Sequence, residues 1–347
     1  MIIRTDLLKD ALKILKKTTG SFIENPSLFL SSRDGRLFLK TQEAYLQTTV
    51  SLDSIGSILT VETLFNPFYQ FIKHNHSKAI EIKANDTILQ LTSLRTQEQL
   101  SLPARRITED PFPPLYHNGL SLSIKELCRF LDIVTGTIGF SFEDGNIIVF
   151  SQKHLYGFIR NFMVRTPFPL NIEKSFISYE TARRFVKTLK SLPDEKIAFF
   201  DGLHKCLKFE NRTKSLKTVL FLKTAAFLEN IPELPALQET FIVQREILVK
   251  HLKKLINVSG VFPATAQLSY DGLNLKISQN SCFTYTITLT TKPLKYHLDS
   301  ISLFIKPLAR FLSTQNAKTV TVLTGKDAWA IRLKESILVI FRQGGKG

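Results

Sequence analysis

Cysteine is scarce. Three in 347 residues, at positions 128, 206 and 282, are too few and too widely spaced for a disulfide framework or a zinc site. That usage points to a reducing compartment. Long apolar runs are missing too: no uncharged stretch approaches the ~18 apolar residues of a membrane span. Met1-Ile2-Ile3-Arg4-Thr5-Asp6 meets polar residues at once, so no secretory leader is expected and a cytoplasmic location is. There is no dinucleotide-binding glycine fingerprint, no phosphate-loop motif and no local Ser-His-Asp or Cys-His signature. The closing Gly344-Gly345-Lys346-Gly347 has no strand or helix to frame it and reads as a loose end. His117, His204, His251 and His297 are scattered, and no Cys or carboxylate pattern completes a site around His74 and His76. No metal, no cofactor and no enzymatic activity is therefore expected. Catalytic triads are spatial, so an enzyme stays open as an alternative. A nuclease would need clustered carboxylates for metal. The densest set, Asp144, Asp194, Glu195 and Asp201, falls on turns and linkers.

Positive charge is plentiful. Forty-six Lys and Arg face 30 Asp and Glu, a net charge of +16. Segments 1–117, 118–236 and 237–347 carry +2, +5 and +9. Such a balance favours polyanionic partners, nucleic acid first and an acidic membrane surface second. With 44% hydrophobic residues and 27 phenylalanines, the chain can bury several cores, and a prior of ~150 residues per domain gives two or three.

An Asp-Gly pair between alternating apolar runs occurs at Asp34-Gly35, Asp144-Gly145 and Asp271-Gly272. Each reads as a hairpin, because the tight turn needs positive φ. Before each pair lies a basic amphipathic helix. In 5–18, Leu8, Ala11, Leu12 and Leu15 share one face and Lys9, Lys13, Lys16 and Lys17 another. Thr5 or Asp6 can cap its start and Gly20 its end. In 123–135, Leu127, Phe130, Leu131 and Val134 oppose Lys125 and Arg129; in 245–258, Leu248, Leu252, Leu255 and Ile256 oppose Lys250, Lys253 and Lys254.

After each pair comes a second helix. Segments 63–75 and 302–315 carry proline four residues before Phe71 and Phe311, where a first helical turn tolerates it. Lys73 is the basic residue of the first, and Lys306 and Arg310 those of the second. Segment 179–191 keeps Phe185 and carries Arg183, Arg184, Lys187 and Lys190. From each Gly to its Phe the distance is 36, 40 and 39 residues. Alternating strand pairs follow each second helix. The acidic, proline-bearing stretches 109–115 and 229–235 read as linkers. Three tandem modules, 1–117, 118–236 and 237–347, are expected, each helix, strands, helix, strands.

Three such units in one chain resemble the bacterial DNA polymerase III β subunit, the sliding clamp. Leu100-Ser101-Leu102-Pro103 running into Phe112-Pro113-Pro114-Leu115 looks like the end of that family's first domain. The stretch from Val149 to Tyr156 is similar to the family's Thr-Asp-Gly-His-Arg-Leu segment, with His154 matching its His, Tyr156 in place of its Leu, and Gln152-Lys153 in place of its Asp-Gly. The resemblance implies an α+β fold. Each domain has two inner helices on antiparallel sheets, and two chains close head to tail into a ring. It also implies a non-enzymatic processivity factor that encircles double-stranded DNA and works with a replicative polymerase and a clamp loader. The basic helix faces then meet phosphates, a contact that attracts DNA without reading sequence. A ringless monomer holding DNA on one face is the alternative.

The resemblance further implies a pocket for short apolar peptides of partner proteins. It would use His154, Leu155, Tyr156, Pro235, Val339, Ile340 and Phe341. Two departures stand out. The chain ends Ile340-Phe341-Arg342-Gln343 plus a glycine-rich tail instead of a Met-Pro-Met-Arg-Leu-like sequence, and it is basic overall where family members are usually acidic.

Overall fold

In a computed structural model, the structure describes the chain except residues 20–25, 44, 109–122, 140–145, 160, 191–197, 202–205, 211–215, 226–232, 260–264, 281–283, 296–298 and 343–347. The Asp144-Gly145 turn, Gly20, the first linker, the glycine-rich tail, and Asp144, Asp194 and Glu195 lie outside the described residues, as does the side chain of Asp201.

The described elements run in chain order β1 (Ile2–Arg4), α1 (Thr5–Thr18), β2 (Ser27–Arg33), β3 (Arg36–Glu43), β4 (Leu46–Asp53), β5 (Val61–Leu64), α2 (Phe65–His74), β6 (Ala79–Ala84), β7 (Ile88–Ser93) and β8 (Gln99–Arg106). Next come α3 (Ile124–Ile138), β9 (Ile147–Ile159), β10 (Phe162–Ser178), α4 (Tyr179–Leu189), β11 (Ala198–Asp201), β12 (Cys206–Glu210) and β13 (Leu216–Phe221). The last stretch holds β14 (Gln238–Gln244), α5 (Arg245–Ser259), β15 (Thr265–Tyr270), β16 (Asn274–Asn280), β17 (Thr284–Thr290), β18 (Lys292–Pro293), β19 (Asp299–Phe304), α6 (Ile305–Ser313), β20 (Thr319–Thr324), β21 (Ala328–Leu333) and β22 (Ser336–Phe341). All six helices expected from the sequence are present, and every strand pairing is antiparallel. No described helix is long and apolar enough to cross a membrane.

The chain packs as two compact units, Met1–Cys128 with Arg183–Leu222, and Arg129–Ala182 with Lys223–Gly347. Their boundaries in sequence fall inside α3, inside α4 and just after β13.

The first unit holds an eleven-stranded sheet in the order β1-β6-β7-β8-β5-β2-β3-β4-β13-β12-β11. Its core is what the helical periods dictate. Leu8, Ala11, Leu12 and Leu15 of α1 and Phe65, Phe68 and Ile72 of α2 are at most 2% exposed and meet Leu28, Leu30, Leu37, Leu39, Ile80, Ile82, Leu89 and Leu91 of the strands. Each such leucine contributes about 1.5–3 kcal/mol by leaving water. The expected α1 cap is not the observed one. Arg4 holds the N-cap position without a side-chain bond, and Asp6 pairs with Arg4 at 2.5 Å instead. The backbone N–H of Thr5, donating to Lys78 O at 3.0 Å, fixes the helix start.

The first Asp-Gly turn has the expected geometry. Asp34 and Gly35 take φ of 52° and 72°, the mirror-image turn whose twist suits the β2–β3 hairpin. The third turn differs. Only Gly272 is left-handed there (φ 92°), because the Asp271 carboxylate accepts the N–H groups of Leu273 at 2.9 Å and Asn274 at 2.7 Å. A side-chain acceptor replaces part of the backbone turn.

The second unit holds a seven-stranded sheet, β18-β14-β20-β21-β22-β10-β9, and a four-stranded sheet, β17-β16-β15-β19. Phe241 stacks on Tyr270 at 4.1 Å and meets Trp329 edge-on at 6.3 Å. The Trp329 indole N–H donates to Asp299 Oδ2 at 2.8 Å, and Arg342 Nη2 reaches both oxygens of that carboxylate at 2.5 Å. At Gly157 in β9 the backbone passes so close to α3 that a Cβ would stand 2.5 Å from Val134 Cγ1. Glycine there lets the helix lie directly on the strand.

Candidate nucleic-acid interface and partner groove

Amphipathic periodicity sorts the basic residues, since a helix that buries one stripe must present the rest outward. On α1, Lys13, Lys16 and Lys17 are exposed. Lys13 pairs with Asp10 at 3.0 Å, and Lys16 Nζ sits 4.5 Å over the Tyr69 ring of α2. On α2, Lys73 is exposed, as are His74 and the following His76. Lys125 and Arg129 of α3 are exposed, and so are Arg183, Lys187 and Lys190 at α4. Arg184 is half-buried, and burial lowers its pKa. On α5, Lys250, Lys253 and Lys254 are exposed. Between them His251 Nδ1 lies 3.0 Å from Tyr285 Oη. Burial first, then Lys250 and Lys254, lowers the His251 pKa from 6.5, which disfavours a positive charge on the ring.

Two basic residues expected at the interface serve the fold. Lys9 Nζ donates to Asn75 O at 2.7 Å, at the end of α2. Arg310 Nη1 donates to Gly139 O at 2.8 Å, at the end of α3. Helix C-termini expose carbonyls with partial negative charge, so a cation there is favoured. Lys306 and Arg310 are both half-buried. A third residue of this kind was not legible in the sequence: Arg245 Nε donates to Leu312 O at 2.6 Å, in the last turn of α6. Helical period identifies a basic face but cannot tell a cation aimed at solvent from one aimed at a neighbouring helix end.

The groove residues divide by strand parity. Strand order β9-β10-β22 puts β10 in the middle, with Tyr156 opposite Arg165 and Met163 opposite Val339. On one face, Met163, Leu323, Ala328, Ala330 and Val339 form a buried apolar cluster, against which half-buried Tyr156, Phe158, Leu237, Ile337 and Phe341 pack. His154 belongs to the same face: Arg165 Nη2 is 2.6 Å from His154 Nε2. The guanidinium can only donate, so Nε2 accepts and the proton sits on Nδ1. Burial first and Arg165 second lower the His154 pKa from 6.5.

Leu155 and Ile340 turn to the opposite face, both at 0% exposure. Successive strand residues alternate sides, so neither Leu155 nor Ile340 can line a groove that also uses its neighbours. Pro235 is half-buried in the stretch before β14, two residues from Leu237. Met163, Phe158, Arg165 and Leu237 were missed; period-two reading puts Phe158 on the Tyr156 face, but Met163 and Arg165 join that face only through the β9–β10 register, and Leu237 only through packing. No group of three or more His, Cys, Asp or Glu suited to a metal occurs among the described residues.

No family model matches the chain, and no curated protein sequence does. Solved structures do. The β sliding clamp of C. crescentus is 10% identical with a TM-score of 0.78, and the match covers 99% of both chains. This is the sliding-clamp fold. The DNA polymerase III subunit β of Pseudomonas aeruginosa is 11% identical (TM-score 0.75, 99% of both chains). The Bartonella birtlesii sliding clamp bound to griselimycin is 12% identical (TM-score 0.76, 99% of both chains). At such identities the likeness speaks for the fold and leaves the chemistry to this chain's own residues.

Proposed function

We propose that the protein is a DNA sliding clamp, a cytosolic processivity factor that encircles duplex DNA and tethers replication proteins without performing catalysis. The supporting observation is that exposed Lys and Arg recur on the helices of a chain with the clamp fold. Lysines on helices contact phosphates rather than bases, which attracts DNA without fixing register. Tethering raises the effective concentration of an attached polymerase. The apolar face carrying Tyr156, Val339 and Phe341 is the seat assigned to short apolar peptides of a polymerase and a loader. The chain is taken as three modules, 1–117, 118–236 and 237–347.

Strand edges support a head-to-tail homodimer. β4, the third strand after α1 in the first module, pairs with β13, the last of the second. β10 pairs likewise with β22, the last of the third. By the same rule β17 of the third module seeks the last strand of a first module, β8, in another copy. Among the described residues β17 pairs with β16 alone, and its sequence Thr-Tyr-Thr-Ile-Thr-Leu-Thr has no charge or proline to blunt the edge. On β8, β5 covers only Ala104–Arg106. The N–H groups of Ala104 and Arg106 point to the β7 side, so those of Gln99 and Ser101 face the open edge. Heterologous contacts of this type close into rings.

Retention tests the reading. After loading, the protein should stay on circular DNA and leave on linearisation; equal loss from both refutes topological linkage. The ringless alternative predicts 39.5 kDa in sedimentation, the ring twice that.

A further inference from the structure

The start of α1 and the segment after α2 enclose a cleft of about 630 Å³ in the first unit. Two of its lining residues, Thr5 and Asn75, are 3% exposed. Thr5 Oγ1 and Asn75 Nδ2 have no hydrogen-bond partner among the described residues. The Asn75 orientation is fixed, because Oδ1 accepts the Ser77 N–H at 2.8 Å, which leaves the NH₂ as the unused donor. Buried polar groups in native proteins are rarely left so.

Cations dominate the rest of the lining. Lys78 has no side-chain partner among the described residues, and Lys9 retains two ammonium protons after donating to Asn75 O at 2.7 Å. The one carboxylate, Asp6, is neutralised by Arg4 at 2.5 Å. The cleft therefore presents a surplus of two positive charges, with His76 also on its wall.

The third repeat shows what such a cleft can hold. Arg245 N donates to Lys318 O at 3.0 Å, just as Thr5 N donates to Lys78 O at 3.0 Å. At the Thr5 position, then, the third repeat has an arginine, whose side chain runs to Leu312 O. Threonine in the first repeat leaves that space to solvent-borne groups.

We propose that this cleft binds a phosphate group. Its lining residues carry four donor groups: the Thr5 hydroxyl, the Asn75 amide and the ammonium groups of Lys9 and Lys78. A tetrahedral oxyanion can accept from all of them, whereas a carboxylate has two oxygens. The phosphate is either free phosphate or a diester of a nucleic-acid strand. The site does not depend on the clamp reading, since it is built within one unit.

The test uses the full chain and amide NMR, titrating inorganic phosphate in one arm and a short duplex in the other, at matched ionic strength. Saturable shifts at Asn75, Ser77 and Lys78 support the site, and the arm that produces them identifies the source. Thr5→Arg is the decisive variant. It adds a positive charge but fills the cleft, so binding should weaken about tenfold or more. Equal or tighter binding would mean general attraction and overturn the proposal. Lys78→Gln, at an exposed position, should also weaken binding several-fold while leaving the melting curve in place; unchanged affinity there, or no saturable shift in either arm, overturns it as well.

Discussion

Replacing Lys13, Lys16 and Lys17 together by glutamine separates DNA contact from folding. All three are exposed on α1, away from the buried Leu8-Leu12-Leu15 stripe. The Lys13–Asp10 pair has side chains 65% and 72% exposed, a pair worth about 0–1 kcal/mol. Lys16 over Tyr69 adds roughly 0.5–1 kcal/mol. The triple variant should therefore remain folded. Each phosphate contact contributes about 0.9 to the slope of log K against log salt, so three lost contacts should flatten it by ~2.7. Between 50 and 200 mM salt the wild type would lose about 40-fold more affinity than the variant. Fluorescence anisotropy on two duplexes of unrelated sequence measures this, and the change should be equal on both. An unchanged slope would show that this face of α1 does not meet DNA, and a sequence-dependent change would show that it reads bases.

Arg310→Gln should behave in the opposite way, lowering stability by about 1–2 kcal/mol in urea titration through the lost bond to Gly139 O while leaving the salt slope nearly intact. Burial acts to raise the Asp299 pKa, but bonds from Arg342 and Trp329 outweigh it, and the net shift is below the ordinary 3.8. Its stabilisation is then present above that pH and lost as pH falls through the folded-state value. Asp299→Asn should accordingly destabilise at pH 7, and the gap to wild type should close in acid; a gap constant with pH would contradict the assignment. Ser101→Pro removes a donor that faces the open β8 edge and spares the bonds to β7, so it should convert a species of about 79 kDa, twice the 39.5 kDa chain, into the monomer by sedimentation; a persistent dimer would place the joint elsewhere.

Much of this architecture was legible in the residues because it rests on local periods. Leu8, Ala11, Leu12 and Leu15 recur at helical spacing, and they are buried in α1. Alternation in 78–83 and 86–91 became β6 at Ala79–Ala84 and β7 at Ile88–Ser93, and Asp34-Gly35 adopted the left-handed turn that its chemistry favours. Of the residues named for a partner groove, Val339 and Phe341 share one apolar face, but treating consecutive residues as one lining ignored the pleat that sends Leu155 and Ile340 the other way.

Sequence by itself determined the elements, their order and their basic faces, since each depends on neighbours within a few positions. Only the tertiary structure decided which partner each side chain meets. Thr48 and Thr218, 170 residues apart, lie within hydrogen-bonding distance at 3.2 Å where β4 meets β13. Lys9 and Arg310 are committed to helix ends by chain segments that no local pattern could announce. Long-range pairing depends on which surfaces remain to be covered once the local elements exist, and that is a property of the whole packed chain.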